Sequence, residues 1–460
     1  MHPPALTDRR LTRLVLVAAL LHGLAYFFIV APWMGEDEPW QFEYASHVAD
    51  GHWPWGGRPY DPRAEVDERT LMSASQIQMR ERVSGVDDGA LERRQRAILA
   101  SMAQHDYFRR VDWAGVCPDR SDFDQVEPFF TAAKQPPGYF AVLGLWMWPL
   151  SSASIDTQLT WARCSSFLLY LASVWIVLQL ASVAFTDRSL ALAAVLAFAW
   201  FPMNARQAGV INNDVLARTT AALVLMLCAK RLAGDDRLRT LIFAAVFAAL
   251  SLLIKPTTTS VFVALGVTVF LSAKSIAGRL AIASSGLVLL AGAFYVWRTQ
   301  QTTVLPRTVA AFFERIERGF SLETFTALGK GFLGGFNWLT RDLSTPTYLA
   351  LAAFLALTML SGFSALFHTR KGVSRPVLAL CFSVVAFQLA LVVLRGVGHG
   401  RYVMPALPAL SLIVAVGFIG PFSEFRRPTA LRVFATLLCL YDVVFLWGGL
   451  VPNEYLVWSS

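Results

Sequence analysis

Three carboxylates, Glu36, Asp37 and Glu38, stand in a row directly after the first apolar run of the chain. Adjacent like charges repel, and chain folding alone does not require them there. Pro39 suits the first turn of a helix, and Trp40, Tyr44 and Val48 continue it at helical spacing. Asp37 and Glu38 therefore fall at a helix N-terminus, where the dipole favours ionised carboxylates. An ionised carboxylate serves as a general base towards a hydroxyl or as a ligand for a divalent cation. The competing reading of the triplet is a solvated cap that also marks topology.

Complementary bases lie beside other apolar runs. Arg163, Arg206, Lys255 and Arg401 each sit near the end of one. Any single one is most simply a snorkelling anchor. Four from different runs can surround the phosphate of a lipid, because Arg forks and Lys point charges suit its oxygens. Further polar stretches are Lys134-Gln135-Pro136-Pro137, Asn212-Asn213-Asp214, Asn337-Trp338, Arg341-Asp342 and His399-Gly400-Arg401-Tyr402. Asp214 reads either as a cap for the following helix or as a ligand for a metal or an acceptor. Asp442 lies inside the last apolar run, and its partner is not legible. An intramembrane carboxylate is by default functional or paired.

Positioning these residues falls to membrane-spanning helices. Of the 460 residues 55% are hydrophobic and 16% charged, and the mean hydropathy is +0.49. Soluble proteins carry about 25% charged residues, so a soluble enzyme, a disordered chain and a nucleic-acid-binding domain are excluded. The net charge of +8 is unevenly distributed. Residues 36–135 carry 19 acids and 12 bases, leaving 13 acids and 28 bases for the rest. Acids thus concentrate in one loop and bases between apolar runs. The five cysteines form no CxxC pair, which supports neither a zinc site nor a disulfide framework. The first run ends in Pro-Trp-Met-Gly rather than at a small-residue cleavage site and reads as a retained span.

Runs long enough to span, or nearly so, are 12–31, 162–185, 189–203, 215–229, 240–254, 257–273, 280–297, 347–367, 376–395, 402–420 and 430–450. Run 138–150 is short, starts at Pro-Pro-Gly and reads as re-entrant or interfacial. If it does not cross, 16 bases flank the inner ends of the spans, while the short outer loops hold only Arg206, Lys255, Arg395 and Arg401. If it did cross, the positive-inside rule would fail. The expectation is an all-α polytopic protein of about eleven spans, with its N-terminus inside. The tail and first span occupy 1–31, a long outer loop 32–160, spans two to seven 161–297, a second outer loop 298–346 and the last four spans 347–460. Within the first loop, Leu91, Ile98, Leu99 and Met102 recur at helical spacing. They mark a helix that lies on the membrane surface or packs on the loop's own core.

The ordered motifs GEDEPW (35–40), KQPPGY (134–139), WAR (161–163), INNDV (211–215), LIKP (253–256) and GHGRYVMPALPAL (398–410) resemble those of bacterial GT-C-type glycosyltransferases. These are multispanning enzymes that use polyprenyl-phosphate sugars. The resemblance implies a GT-C-type fold in the bacterial inner membrane with its site on the periplasmic face. It also implies sugar transfer to a glycan, lipid or protein acceptor, with inversion. Asp37 or Glu38 is then the catalytic carboxylate, and Arg163, Arg206, Lys255 and Arg401 bind the donor phosphate. Lys134, Gln135, Tyr139, Asn213, Asp214, His399 and Tyr402 line the acceptor or substrate site. Mg²⁺ or Mn²⁺ is left open, with Asp37, Glu38 and Asp214 as its candidate ligands. The chain departs from the family pattern at Gln41 and Gln135, where a His often stands. A flippase for lipid-linked sugars, a ligase using a diphosphate-linked glycan and a non-catalytic scaffold are the rival readings. The scaffold leaves the one-sided polar clusters unexplained.

Overall fold

The computed structural model describes residues 9–35, 37–52, 88–105, 107, 135–273, 321–333, 344–368, 372–395 and 400–451. Among them the secondary structure is helical, and the one β-bridge, Phe185 with Val373, is isolated. Helix α1 (Arg9–Ile29) leads to the acidic turn. Then follow α2 (Glu38–Ala49), α3 (Asp88–Gln104) and α4 (Gly138–Met147), the last closed by a 3₁₀ turn at Trp148–Leu150. Helix α5 (Ile155–Ala184) starts before the expected boundary at 161, because its first turn is polar. Ser154 caps it by accepting from Thr157 N at 3.4 Å.

Helices α6 (Arg188–Ala199) and α7 (Pro202–Arg206) replace the expected third span with a pair bent by 57°, broken where Pro202 cannot donate to the preceding turn. After them come α8 (Asn213–Leu232), α9 (Leu238–Ile254), a 3₁₀ turn at Pro256–Thr259 and α10 (Ser260–Ser272). The expected seventh span, 280–297, lies outside the described residues. Helix α11 (Leu322–Leu333) falls within the second loop. It precedes α12 (Thr345–Phe367), α13 (Arg375–Arg395), a 3₁₀ segment Gly400–Ala406, α14 (Leu407–Ile419) and α15 (Arg427–Phe445). Among the described residues five helices are long and apolar enough to cross a membrane, or six if the bent pair is one span.

Two apolar clusters divide the molecule. The larger fills the bundle, with α14 at its centre and α6, α12 and α13 packed around it. Gly417 permits that crossing: a Cβ there would stand 1.8 Å from the Thr358 carbonyl oxygen of α12. Outward faces are apolar, as Leu238, Ile242, Val246 and Leu253 on α9 show, and such a face suits hydrocarbon. The smaller cluster lies at one end. There Ile98, Leu99 and Met102 of α3 join Trp33, Phe42 and Tyr44, and α3 packs against α2 and α5. The apolar face of α3 therefore packs on the loop's own core.

Asp442 finds its partners across the bundle. Its carboxylate lies 2.9 Å from His22 Nε2 and accepts from Tyr26 OH at 2.5 Å, so α15 is tied to α1. Trp200 stacks on the His22 ring at 4.8 Å. At the opposite end from the smaller cluster, Asp187 caps α6 through Ser189 N and Leu190 N and binds Arg427 at 2.7 Å.

Candidate active site

Helix α2 starts where the chain leaves α1, and Asp37 is its N-cap residue in a left-handed conformation, φ 58°. Asp tolerates that region better than most residues, yet the cap makes no side-chain hydrogen bond to the helix. Instead its Oδ2 accepts from Arg401 Nη1 at 2.7 Å, across 364 positions of sequence. Asp37 also lines a cleft with Trp33, Met34, Gly35, Pro39, Trp40 and Tyr107. Burial first, and the Glu38 and Asp37 charges next, push the Tyr107 phenol up.

Glu38 has a different environment. Its side chain is fully buried and accepts four hydrogen bonds: from Arg163 Nε (2.8 Å) and Nη2 (2.6 Å), Ile211 N (2.9 Å) and Gly35 N (3.1 Å). Arg163 donates further to the carbonyls of Val30 and Ala31. The pair thus joins the end of α1, the start of α2, helix α5 and the strand-like approach to α8. Arg206, buried, donates to the Met34 carbonyl at 2.7 Å.

A third ion pair completes the set. Lys255 Nζ, at the end of α9, reaches Asp214 Oδ1 at 2.5 Å and Asn213 Oδ1 at 3.1 Å. Asn212, not Asp214, caps α8, accepting from Asp214 N at 2.8 Å, and this leaves the Asp214 carboxylate for the lysine. Asn213 Nδ2 donates to Gln135 Oε1 at 2.5 Å, and Asn213 N donates to Gln41 Oε1 at 2.8 Å. Gln41 was only a departure from a pattern in sequence, yet it ties α2 to α8.

The Tyr402 ring meets cations of two of these pairs, 5.7 Å from Lys255 Nζ and 5.7 Å from the Arg401 guanidinium. Its carbonyl accepts from Gln388 Nε2 of α13 at 2.5 Å. Gly400 lets the segment approach α11, for a Cβ there would meet Phe332 N at 2.0 Å. Tyr139 is buried in the smaller cluster, and burial pushes its phenol up.

The site-bearing stretches that are described therefore meet at one end of the bundle. Glu36, Lys134, Asn337, Trp338, Arg341, Asp342 and His399 lie outside the described residues. Sequence reasoning missed Arg218, fully buried on α8, whose Nη1 donates to Gln207 Oε1 at 2.5 Å. An arginine inside an apolar run was the signal that could have found it. It also missed a buried pair behind α2. Glu43 accepts from Gln95 at 2.8 Å, and burial pushes it up to about 7. His47, one turn on, is pushed down to about 3, by burial first and then by the Arg94 and His52 charges.

Among the described residues no group of three His, Cys, Asp or Glu side chains could hold a metal ion. Asp37, Glu38 and Asp214, the candidate ligands for Mg²⁺ or Mn²⁺, each face a cationic side chain.

Fold and site together define a polytopic helical membrane protein with a charged, aromatic-lined site at one end of its bundle. The chain belongs to the family described as "Predicted membrane protein (DUF2142)", whose profile matches residues 20–410. No curated protein matches it. A solved structure similar to it is the crystal structure of ArnT from Cupriavidus metallidurans bound to undecaprenyl phosphate. That likeness has a TM-score of 0.49 at 12% identity and covers 97% of this chain and 74% of that one.

Proposed function

We propose that the protein is a GT-C-type glycosyltransferase that moves a sugar from a polyprenyl-phosphate donor to an acceptor hydroxyl at the outer face of the inner membrane. The observation that carries this reading is the contrast between the carboxylates. Glu38 is sealed by four donors, whereas Asp37 faces the cleft and holds one arginine.

The reaction follows from that contrast. A donor phosphate between Arg401 and Lys255 competes with Asp37 for the guanidinium and releases the carboxylate. Asp37 then takes the proton of the acceptor hydroxyl as its oxygen bonds to the anomeric carbon. The bond from that carbon to the phosphate oxygen breaks on the opposite side, and the electron pair leaves with the polyprenyl phosphate. The configuration inverts. Arg401 and Lys255 neutralise the departing anion, which needs no proton to leave. Arg163 serves the reaction by holding Glu38, and Glu38 by holding the turn that presents Asp37. Trp40 and Tyr107 line the cleft beside Asp37 and offer aromatic surface to a sugar. Charge supports an anionic substrate: the bases Arg163, Lys255 and Arg401 gather at this end of the bundle, each holding a carboxylate, with the buried Arg206 beside them.

The test uses the full chain in nanodiscs and a panel of synthetic prenyl-phosphate hexoses and pentoses, with release of prenyl phosphate as the readout. The wild type should release it from at least one donor, and Asp37→Asn should lower the rate about 10²–10⁴-fold, the usual cost of losing a general base. No release from any donor, or equal rates in wild type and variant, overturns the reading.

A further inference from the structure

One turn below the Lys255 pair, buried polar atoms lack partners in a complementary way. Asp214 Oδ2 accepts no hydrogen bond, and Arg218 Nε and Nη2 donate none. Both residues are buried, and they sit four positions apart on α8, hence on one face and close enough for their charges to interact. A buried, unsatisfied charged group is costly, and here an acceptor and two donors of opposite charge are left unused side by side. Lys255, by contrast, is fully served by Asp214, Asn213 and the face of Tyr402.

We propose that Asp214 changes partners. It holds Lys255 in this structure and turns to Arg218 when a phosphate draws the lysine away. The inference rests on the reading of Lys255 as a phosphate-binding residue. Without Arg218, every phosphate bound by Lys255 would strand a buried carboxylate, and binding would carry that cost. With it, the carboxylate moves from one cation to another, and the lysine is released to the ligand. Gln207 holds Nη1 of Arg218 and so keeps the guanidinium in place on the α8 face throughout. The Phe198 ring, 5.9 Å from the guanidinium, supports its other side. Arg218 is thus a positioning residue that touches no substrate and sets how readily Lys255 leaves Asp214.

The experiment measures binding of farnesyl phosphate to the full chain in nanodiscs, with inorganic phosphate and farnesol as controls for the headgroup and the chain. Wild type should bind farnesyl phosphate, and Lys255→Gln should lose most of that affinity. Arg218→Gln should weaken binding about tenfold, and Arg218→Lys, which keeps the charge, should largely retain it. Adding Asp214→Asn to Arg218→Gln should restore affinity, because the lysine then leaves no carboxylate behind. A structural role for Arg218 predicts no such rescue. If Lys255→Gln loses affinity while Arg218→Gln binds as wild type, or the double variant stays weak, the exchange is overturned and the phosphate-binding role of Lys255 stands. If wild type does not bind farnesyl phosphate, or Lys255→Gln binds it unchanged, the underlying reading fails and the exchange with it. Inorganic phosphate bound as tightly as farnesyl phosphate would assign the site to a free anion and remove the lipid donor.

Discussion

Glu38 and Asp37 are neighbours with the same chemistry, and the structure predicts opposite consequences for their amides. In Glu38→Gln the new side chain keeps one acceptor oxygen for Arg163 and Ile211 N, but it turns an NH₂ towards Arg163 Nη2 and Gly35 N. Two donors then face a donor, inside a pair whose glutamate is fully buried and whose arginine is nearly so. Hydrogen bonds to charged groups contribute about 1.5–3 kcal/mol each. Removing one partner of a buried ion pair costs about 3–5 kcal/mol. A destabilisation of about 3–5 kcal/mol is therefore expected, read as a shift in equilibrium unfolding in mixed micelles. Asp37→Asn leaves a partly exposed cap that makes no hydrogen bond to its helix, so its stability should lie within about 1 kcal/mol of wild type. The two variants should separate cleanly: one unfolds early, the other folds and fails in transfer. If Glu38→Gln keeps wild-type stability yet abolishes transfer, Glu38 is the reacting group and the clamp reasoning is refuted.

Three further expectations follow from other parts of the molecule. Glu43 binds its proton more tightly folded than unfolded, so the stability it contributes is full below pH 4.5 and is lost as pH rises towards about 7. His47 works the other way, contributing fully above 6.5 and losing stability as pH falls towards about 3. Glu43→Gln removes the first slope alone, so the variant should gain on wild type by about 3 kcal/mol between pH 4 and 8; a difference that stays flat over that range would show that Glu43 does not pay a burial cost. Asp442→Leu strips an acceptor from His22 and Tyr26, and should cost about 1–2 kcal/mol in the same unfolding assay, within the range of intramembrane hydrogen bonds. Reporter fusions after residues 187, 235, 372 and 427 should report the cytoplasm and those after 100, 210, 320 and 455 the outer side; a cytoplasmic signal at 210 would mean that the run 138–150 crosses the membrane.

Much of the architecture was legible because a bilayer imposes a strong and simple rule. Apolar runs had to become helices, and those covered by described residues did so, with errors at the ends. Polar first turns hid the start of α5, and a proline split the third run into α6 and α7. Convergence of the described polar stretches was legible too, since the runs between them fixed which ends could meet. Side-chain pairing was not. Nothing in the spacing says that Arg163 meets Glu38 while Arg401 meets Asp37, for those contacts join residues separated by 125 and 364 positions. Asp442 was a solitary charge in sequence because His22, its partner, lies 420 positions away.

The distinction between the ion pairs is what sequence could least convey, and it carries the functional consequence. As residue types, Glu38 with Arg163, Asp37 with Arg401 and Asp214 with Lys255 are three carboxylates with three cations. Their remaining capacity differs. Glu38 has used both oxygens twice, so a ligand can gain nothing from it without breaking the clamp. Asp214 retains an unused oxygen with an underused guanidinium one turn away. Asp37 sits at the cleft with part of its side chain exposed. On the proposed reading, a substrate anion would compete for Arg401 and Lys255 at low cost and for Arg163 at high cost. That order of competition would let one rigid pair hold the turn while two looser pairs open to a ligand.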